Sequence, residues 1–299
     1  MNIKFGVHTA VDMNPENMRR DIEMIGSLGF DGIYVSDSIG SSYDPLVLLS
    51  ALSQITNNLR LGTCVYLLPL RHPIITARQV STLQKLSDER IIFGVGVGWR
   101  KNEFDSLGID FGRRGTIADE SIQILRQAWQ KGSVNFDGKF YKIHIEEVGS
   151  KLGALPSVWV GGNSKAAIKR ACLFGDGWIP TDMTPEEYEL NLPLIKDYLA
   201  RFNRERSEFR LASHLMLILS EERERAENVA RAMAANFSST LEEIKQWALV
   251  GNTEDIVERL ALYSKIGVSY HILSTWAYPA KDEIFNMLKL FSREVIPSF

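Results

Sequence analysis

The sequence predicts an α/β fold, a (β/α)8 barrel of parallel strands with helices between them. Short apolar runs begin near Ile3, Ile33, Leu59 and Ile91, and this spacing of roughly thirty residues is that of a βαβ unit. A second observation is a recurring phrase in which a helix ends at glycine and a short apolar strand follows, with polar groups at the strand's end. The phrase occupies 27–37, 173–182 and 265–275. The third observation is a total of eight such strands, a number that closes readily into a barrel.

Helices and later strands fill in this pattern. Pro15 to Leu28 places apolar residues along one helical face. Capping boxes at Thr184–Glu187 and Thr240–Glu243 mark two further helix starts. Later strands are expected at Ser157 to Val160, Gly177 to Ile179, Leu211 to Leu219 and Tyr270 to Leu273.

Two segments depart from the regular alternation, and both are expected to flank the carboxyl-end mouth of the barrel. Residues 99–114 form a long βα loop, and residues 132–156 form an insertion between strands four and five. Within the insertion, Val134 to Tyr141 is expected to form a hairpin around Asp137-Gly138. Either a lid or a dimer contact would account for these segments. Because no linker or low-complexity tract is visible, residues 1–299 are interpreted as one domain.

Composition excludes several classes of protein. The 299 residues are 45% hydrophobic and 24% charged, and the net charge is −3, so no basic surface for nucleic acid or an anionic membrane is predicted. The start of the chain shows no signal-peptide core and no apolar run is long enough to span a bilayer, so we expect a cytoplasmic protein. Cys64 and Cys172 lie far apart without neighbouring His pairs, so neither a disulfide scaffold nor a metal site is predicted.

The stretch Arg90 to Trp99 is the most informative part of the sequence. Its first six residues are almost wholly apolar and predict a strand buried on both faces. Gly94, Gly96 and Gly98 then leave bare backbone at the carboxyl end of the strand, where ligands of α/β proteins collect. Close packing of the strand would explain the same glycines. A dinucleotide fingerprint is set aside, because its third glycine falls on Trp99 and no helix is predicted to open there.

Other strand ends carry candidate ligand groups. Gly161, Gly162, Asn163 and Ser164 lead into a helix at Lys165 to Phe174, an arrangement suited to phosphate or to simple capping of the helix. The segment Leu61 to Pro69 loses its alternation and suggests a bulge, although a doubly buried strand would also fit. His8 ends strand one, and Asp37 and Ser38 end strand two, so all three are expected at the barrel mouth.

Several motifs in this order resemble the bacterial luciferase-like flavin and deazaflavin oxidoreductases across nearly the whole chain. They are RLGTCV at 60–65, LRHP at 70–73, RIIFGVGVGW at 90–99, NEF at 102–104, LG at 107–108, RRGTIADE at 113–120, VWVGGNS at 158–164 and GDGW at 175–178.

The resemblance implies a barrel that holds the ring of FMN or of the deazaflavin coenzyme F420 at its mouth. It implies a non-prolyl cis peptide at Cys64–Val65 backing that ring. The other cofactor contacts that it implies are Asp37, Gly96, Val97, Asn102, Gly161, Gly162, Asn163 and Ser164, and His8 is added from its place at the end of strand one. An apolar substrate pocket lined by Ser38, Tyr66, Trp99, Phe104 and Trp276 is expected, although each aromatic residue would equally suit the core.

The expected function is oxidation or reduction of a small organic substrate by a reduced flavin-type cofactor. Reduced FMN would activate oxygen, whereas a reduced deazaflavin would deliver hydride. Related sugar-phosphate dehydrogenases place His and Glu where this chain has Ser38 and Trp99, so no catalytic acid or base is identified. Since no nicotinamide fingerprint is visible, a separate reductase is expected to supply the reduced cofactor, and such barrels commonly form homodimers. The alternatives are a metal-dependent sugar isomerase or epimerase, for which the strand ends offer too few ligands, and a flavin-binding barrel without catalysis.

Overall fold

The main sheet of the molecule closes on itself. The structure, a computed structural model, describes residues 3–205, 208–236, 238–278 and 280–299. In the sheet, the strands lie in the order Leu249–Gly251, Arg210–Leu219, Tyr270–Ser274, Lys4–His8, Gly32–Val35, Arg60–Thr63, Ile91–Gly96, Ser157–Gly161 and Gly177–Ile179, and an additional pairing of Gly177–Ile179 with Arg210–Leu219 completes the ring. Along the chain, at least one α-helix lies between each of these strands and the next. The predicted (β/α)8 barrel is therefore confirmed.

The described strands are β1 (Lys4–His8), β2 (Gly32–Val35), β3 (Arg60–Thr63), β4 (Tyr66–Leu67), β5 (Ile91–Gly96), β6 (Val134–Asp137), β7 (Lys142–Ile145), β8 (Ser157–Gly161), β9 (Gly177–Ile179), β10 (Arg210–Leu219), β11 (Leu249–Gly251) and β12 (Tyr270–Ser274). The α-helices are α1 (Pro15–Ser27), α2 (Pro45–Ser53), α3 (Pro73–Leu86), α4 (Lys101–Ser106), α5 (Arg114–Lys131), α6 (Lys165–Phe174), α7 (Pro185–Arg201), α8 (Arg223–Asn236), α9 (Leu241–Trp247), α10 (Thr253–Lys265) and α11 (Lys281–Leu290). In the described ranges, no helix is both long and apolar enough to cross a membrane.

The chain divides into two compact units, and the first comprises Met1–Tyr34 and Trp178–Phe299. In this unit β12 lies between β1 and β10, and all three strands are parallel. The register pairs His8 with Ser274 and Ser274 with Met216. Every residue of β12 is buried, as expected for a parallel strand with both faces covered.

The second unit comprises Val35–Gly177. Here β5 is buried along its whole length and pairs in parallel with β3, β4 and β8. Behind the strands, the fully buried Trp129 of α5 donates its indole N–H to the carbonyl of Ala77 in α3 at 3.0 Å. The carboxyl ends of these strands therefore share one edge of the sheet.

Most predicted boundaries agree with the structure, and both predicted capping boxes are confirmed at Thr184 and Thr240. The hairpin in the insertion is present, but its second strand is Lys142–Ile145 rather than the end of Val134 to Tyr141. A four-residue connection at 138–141 replaces the expected tight turn, because the backbone N–H groups of 139–141 bind the buried Glu120 carboxylate.

One local expectation is wrong. A short helix, α4, begins two residues after Trp99, where none was predicted, and the 99–114 segment also contains a 3-10 turn at Phe111–Arg113. The bulge predicted in strand three is confirmed. The strand is divided into β3 and β4 at Cys64–Val65, and its register against β5 shifts by one residue between Gly62 and Tyr66.

Candidate functional site

Residues that were predicted from separate motifs meet at one edge of the Val35–Gly177 unit. In the strand register, Leu67 of β4 lies opposite Gly96 of β5, and Val95 lies opposite Val160 of β8. Gly96 and Gly161, one residue further along each strand, therefore occupy neighbouring strand ends. Cys64 joins the same edge, since its backbone N–H donates to the Val35 carbonyl at 2.9 Å.

Val65 explains two of the glycines at this edge. The Cys64–Val65 peptide bond is cis, as the resemblance implied. A Cβ atom placed on Gly96 would overlap Val65 Cγ2, and one placed on Gly161 would lie 2.8 Å from Val65 Cγ1. The Val65 side chain therefore packs against bare backbone at both glycines. This confirms close packing as a reason for Gly96 and adds the same reason for Gly161.

Gly98 and Gly162 are required for a different reason. Their φ angles are +76° and +114°, in the region that side chains with a Cβ rarely adopt. A Cβ on Gly98 would also lie 2.9 Å from the ring of Phe104. Val97, between the glycines, is half-buried, and Asn102 is exposed on α4.

Asp37 is held in place by Arg71, a residue that the sequence analysis did not assign. Arg71 donates two hydrogen bonds to the Asp37 carboxylate, at 2.6 and 3.0 Å, and a third to Asp44 at 3.3 Å. The backbone N–H of Leu67 also donates to Asp37, at 2.9 Å. Because these bonds occupy both oxygens of a buried side chain, Asp37 links the segment that follows β2 to the last residue of β4. The LRHP motif at 70–73 contained the signal for Arg71.

Ser38 contacts Glu103, another residue that the sequence analysis missed. The Ser38 hydroxyl donates to Glu103 Oε1 at 2.6 Å, and Arg100 Nη1 donates to Ser38 Oγ at 3.2 Å. The backbone N–H of Ile39 adds a longer bond to Glu103, at 3.3 Å. Glu103 is buried on α4, so the helix that was not predicted brings a carboxylate to the end of β2.

The segment at 161–164 ends in a well-capped helix. Ser164 alone is the N-cap of α6, and its hydroxyl accepts a hydrogen bond from the backbone N–H of Ala167 at 3.2 Å. The N–H groups of Lys165 and Ala166 belong to the first turn, where no carbonyl of the helix can pair with them. Asn163 and Ser164 are exposed. Together with the helix dipole, these donors suit an anion.

The four aromatic residues expected in a substrate pocket divide into two groups. Tyr66 and Phe104 are fully buried, and this corrects the expectation that they line a pocket. Tyr66 packs under the Arg71 guanidinium, and burial raises the pKa of its hydroxyl to about 12. Phe104 forms a small core cluster with Leu67 and Leu70. Trp99 and Trp276, by contrast, are 77% and 62% exposed.

His8 belongs to a separate polar cluster in the other unit. Its Nδ1 lies 2.8 Å from Nε2 of His214 in β10, and the Trp276 ring lies 5.8 Å from the His8 ring. Burial lowers the pKa of both imidazoles, to about 4 for His214. Asp182, three residues after β9, donates its backbone N–H to the His214 carbonyl, and burial raises its carboxyl pKa to about 6. Neither His214 nor Asp182 was assigned from the sequence.

Comparison with known proteins identifies the class to which this fold and site belong. Residues 3–243 match the family model described as luciferase-like monooxygenase. The chain therefore belongs to the luciferase-like monooxygenase family, and the expected class of enzyme, an oxidoreductase that uses FMN or coenzyme F420, is confirmed.

Three relatives illustrate the range of this family. The 5,10-methylenetetrahydromethanopterin reductase of Archaeoglobus fulgidus is 23% identical over an alignment of 335 positions that covers 99% of both chains. The coenzyme F420-dependent tetrahydromethanopterin reductase of Methanopyrus kandleri superposes with a TM-score of 0.84 at 20% identity, over 100% of both chains. The oxygenating component of 3,6-diketocamphane monooxygenase from Pseudomonas putida, solved with FMN, superposes with a TM-score of 0.77 at 16% identity, over 99% of both chains.

Proposed function

We propose that this protein oxidises or reduces a small organic substrate with a cofactor bound at the strand ends of the Val35–Gly177 unit. One observation carries the proposal: the ends of β5 and β8 are neighbours, so Gly96 and the anion-binding turn at 161–164 lie side by side. A planar ring with an anionic tail needs flat backbone beside a cluster of N–H donors. Family membership agrees with this arrangement.

Coenzyme F420 is the first candidate for the cofactor. The proposal is supported by the F420-dependent tetrahydromethanopterin reductase of M. kandleri, which superposes over 100% of both chains. FMN is the second candidate, supported by the FMN-bound monooxygenase from P. putida.

The residues of the chain would position and shield the cofactor. A bound reduced deazaflavin would supply hydride to the substrate. Val65, supported by Gly96 and Gly161, would present an apolar surface to one face of the ring. The Lys165 and Ala166 N–H groups would bind the phosphate. Glu103 would hold α4 against Ser38, leaving the exposed Trp99 beside the bound molecule.

The cellular setting is a further part of the proposal. We expect a cytoplasmic homodimer that receives reduced cofactor from a separate reductase. Tight binding of NAD(P)H followed by efficient direct turnover would contradict the need for a reductase. Gel filtration with light scattering measures the mass in solution, for comparison with the 33.8 kDa of a single chain.

Titration of the cofactor-free protein with oxidised F420 and, separately, with FMN tests the proposal. We expect one of them to bind, with changes in visible absorbance and quenched fluorescence. Gly162→Ala should weaken binding at least tenfold, since φ of +114° is strained for alanine. Gly153→Ala is the matched control, because no atom lies within 4 Å of the added Cβ. Absence of binding by both cofactors would overturn the proposal.

A further inference from the structure

Trp99 and Arg100 form an exposed pair beside the proposed cofactor site. Trp99 follows the end of β5 at Gly96 by three residues, and its side chain is 77% exposed. The Arg100 guanidinium lies over the indole, with its Cζ atom 4.8 Å from the ring centroid. This cation–π contact attracts the guanidinium to the ring. Both residues belong to the Val35–Gly177 unit, as does the whole proposed site.

A second set of contacts fixes the position of Arg100. Its Nη1 donates to the Ser38 hydroxyl at 3.2 Å and lies 3.8 Å from Oε1 of the buried Glu103. The Ser38 hydroxyl donates its single proton to Glu103 at 2.6 Å, and it also accepts from the backbone N–H of Gly40 at 3.3 Å. Because that proton is already used, Ser38 orients Arg100 as an acceptor and has no proton to donate to a ligand.

Most of the hydrogen-bonding capacity of Arg100 remains for a ligand. A guanidinium carries five N–H donors, and to the residues that the structure describes Arg100 donates one side-chain hydrogen bond, through Nη1. The side chain is 46% exposed. The Glu103 carboxylate lies beyond hydrogen-bond distance of Arg100 and accepts instead from Ser38 and from the backbone N–H of Ile39. The edge formed by Nε and Nη2 therefore matches the two oxygens of a carboxylate.

We infer that Arg100 binds a carboxylate of the substrate while Trp99 packs against a flat, unsaturated part of the same molecule. The inference rests on the proposed function and adds the class of substrate, a small unsaturated carboxylic acid. The guanidinium supplies paired, charge-assisted hydrogen bonds, and the exposed indole supplies apolar area. Arg100 determines specificity by touching the substrate, whereas Ser38 is a positioning residue that acts through Arg100.

Nitrogen-15 NMR of the arginine side chains tests carboxylate binding directly. The probe is trans-cinnamate, and cinnamamide is its neutral analogue. We expect cinnamate to shift the Arg100 Nε–H resonance, which is assigned by its loss in Arg100→Lys, and cinnamamide to leave it in place. The titration is made on the cofactor-free protein and on the protein loaded with oxidised cofactor. A resonance that cinnamate moves in neither form would overturn the inference.

Equilibrium titration of the cofactor-loaded protein measures the specificity. The ligands are unsaturated carboxylic acids, each paired with its primary amide, and the visible absorbance of the bound cofactor reports binding beside it. The acid should bind at least about tenfold more tightly than its amide, because hydrogen bonds between charged groups are the strong ones. Arg100→Gln should abolish this preference by weakening binding of the acid alone.

Lys101→Gln is the matched control for loss of a positive charge. Lys101 is the next residue in the chain and pairs with Asp105 at 2.7 Å, so its ammonium is already occupied. This variant should keep the preference for the acid. A preference that survives Arg100→Gln, or that Lys101→Gln loses equally, would overturn the inference.

The role of Ser38 is tested through Arg100. Ser38→Ala should weaken binding of the acid about fivefold, since it removes one acceptor of the guanidinium. The same substitution made in Arg100→Gln should have no further effect on binding. An equal loss in both backgrounds would show that Ser38 does not act by positioning Arg100.

The cofactor also carries anionic groups, and the affinity of Arg100→Gln for the cofactor distinguishes the two sources. This variant should bind oxidised F420 or FMN as tightly as the unmodified protein does. A loss of about tenfold would assign Arg100 to the cofactor and overturn the inference. A protein that binds neither cofactor refutes the proposed function, but NMR of the cofactor-free protein still decides whether Arg100 binds a carboxylate.

Discussion

The packing around Val65 can be tested by the substitution Gly161→Ala, which adds one methyl group. The added Cβ of Gly161→Ala would lie 2.8 Å from Val65 Cγ1, so we expect the free energy of unfolding to fall by about 1–3 kcal/mol, as for other overpacked sites. Val65→Ala removes the obstructing methyl groups. The double variant should therefore recover part of the loss, with a favourable coupling of at least about 1 kcal/mol in urea denaturation. Additive effects would show that Val65 does not explain the glycine.

Asp182 is expected to reduce stability at neutral pH. Burial raises its carboxyl pKa from 3.8 to about 6, so the folded protein binds this proton more tightly than the unfolded chain does. This contribution to stability is therefore complete below pH 3.8 and is lost as the pH rises to 6. Asp182→Asn should raise the free energy of unfolding at pH 7 by up to about 3 kcal/mol, and asparagine tolerates the φ of +49°.

Denaturation at two pH values measures this effect. The gain from Asp182→Asn should shrink as the pH falls and disappear well below pH 3.8, where aspartate is protonated in both states. Glu189→Gln, on the exposed side of α7, is the control and should change stability little at either pH. An equal gain at both pH values would show that charge burial is not the cause.

The role of an individual residue could be predicted from the sequence where the local backbone determines that role. Ser164 is an N-cap because its hydroxyl can accept from a first-turn N–H, and this follows from local sequence alone. Arg71, Glu103 and His214 act through partners 34, 65 and 206 positions away in the sequence. Spacing within a helix or a strand carries no information about such contacts, so only the fold could reveal them.

At the scale of elements, the conformation of the 138–141 connection in the insertion depends on the carboxylate of Glu120 in α5. Glu120 accepts hydrogen bonds from the backbone N–H groups of Lys139, Phe140 and Tyr141, at 2.7 to 3.2 Å. Glu120→Ala leaves these donors without an acceptor and should destabilise the 138–141 connection by about 3 kcal/mol. Trypsin should then cut after the exposed Lys139 more quickly than in the unmodified protein.

Two further variants distinguish the loss of the Glu120 hydrogen bonds from the loss of a negative charge in general. Glu120→Gln keeps one carbonyl acceptor, so its cleavage rate should be intermediate. Glu146→Ala, at an exposed position after the hairpin, should be cleaved at the normal rate. If Glu120→Ala is cleaved no faster, the carboxylate does not order the connection.

Elements were predictable where apolar periodicity and caps coincide. The bounds of β9 match the prediction and α1 ends one residue early, because apolar spacing and local caps define both. The second strand of the hairpin was misplaced, since Glu120 stabilises a connection that no local turn signal indicates. Helix α4 was missed because it has six residues and no side-chain cap, which leaves little sequence signal.

At the scale of the whole molecule, the repeated phrase of a helix, a turn and a strand explains why the barrel was predictable from one sequence. Every occurrence places polar groups after a buried strand, and parallel strands collect those groups at one edge. The histidines show the consequence. His8, His214 and His271 all lie on barrel strands. His8 and His271 are buried and His214 is half-buried, and desolvation lowers the pKa of all three rings.

These three histidines should make the folded protein sensitive to acid. Burial lowers their pKa values, to about 4 for His214 and about 3 for His271, so protons bind first to the unfolded chain, whose histidines titrate near 6.5. Stability is therefore complete above pH 6.5 and falls as the pH decreases towards 4, by about 1.4 kcal/mol per pH unit for each ring. Asp182 opposes this trend between pH 6 and 3.8.

His271→Phe should reduce the slope of unfolding free energy against pH by one proton, because the variant no longer carries the imidazole that takes up a proton on unfolding. Urea denaturation at half-unit intervals from pH 4 to 7.5 measures both slopes, and equal slopes in His271→Phe and the unmodified protein would contradict the burial of a neutral ring.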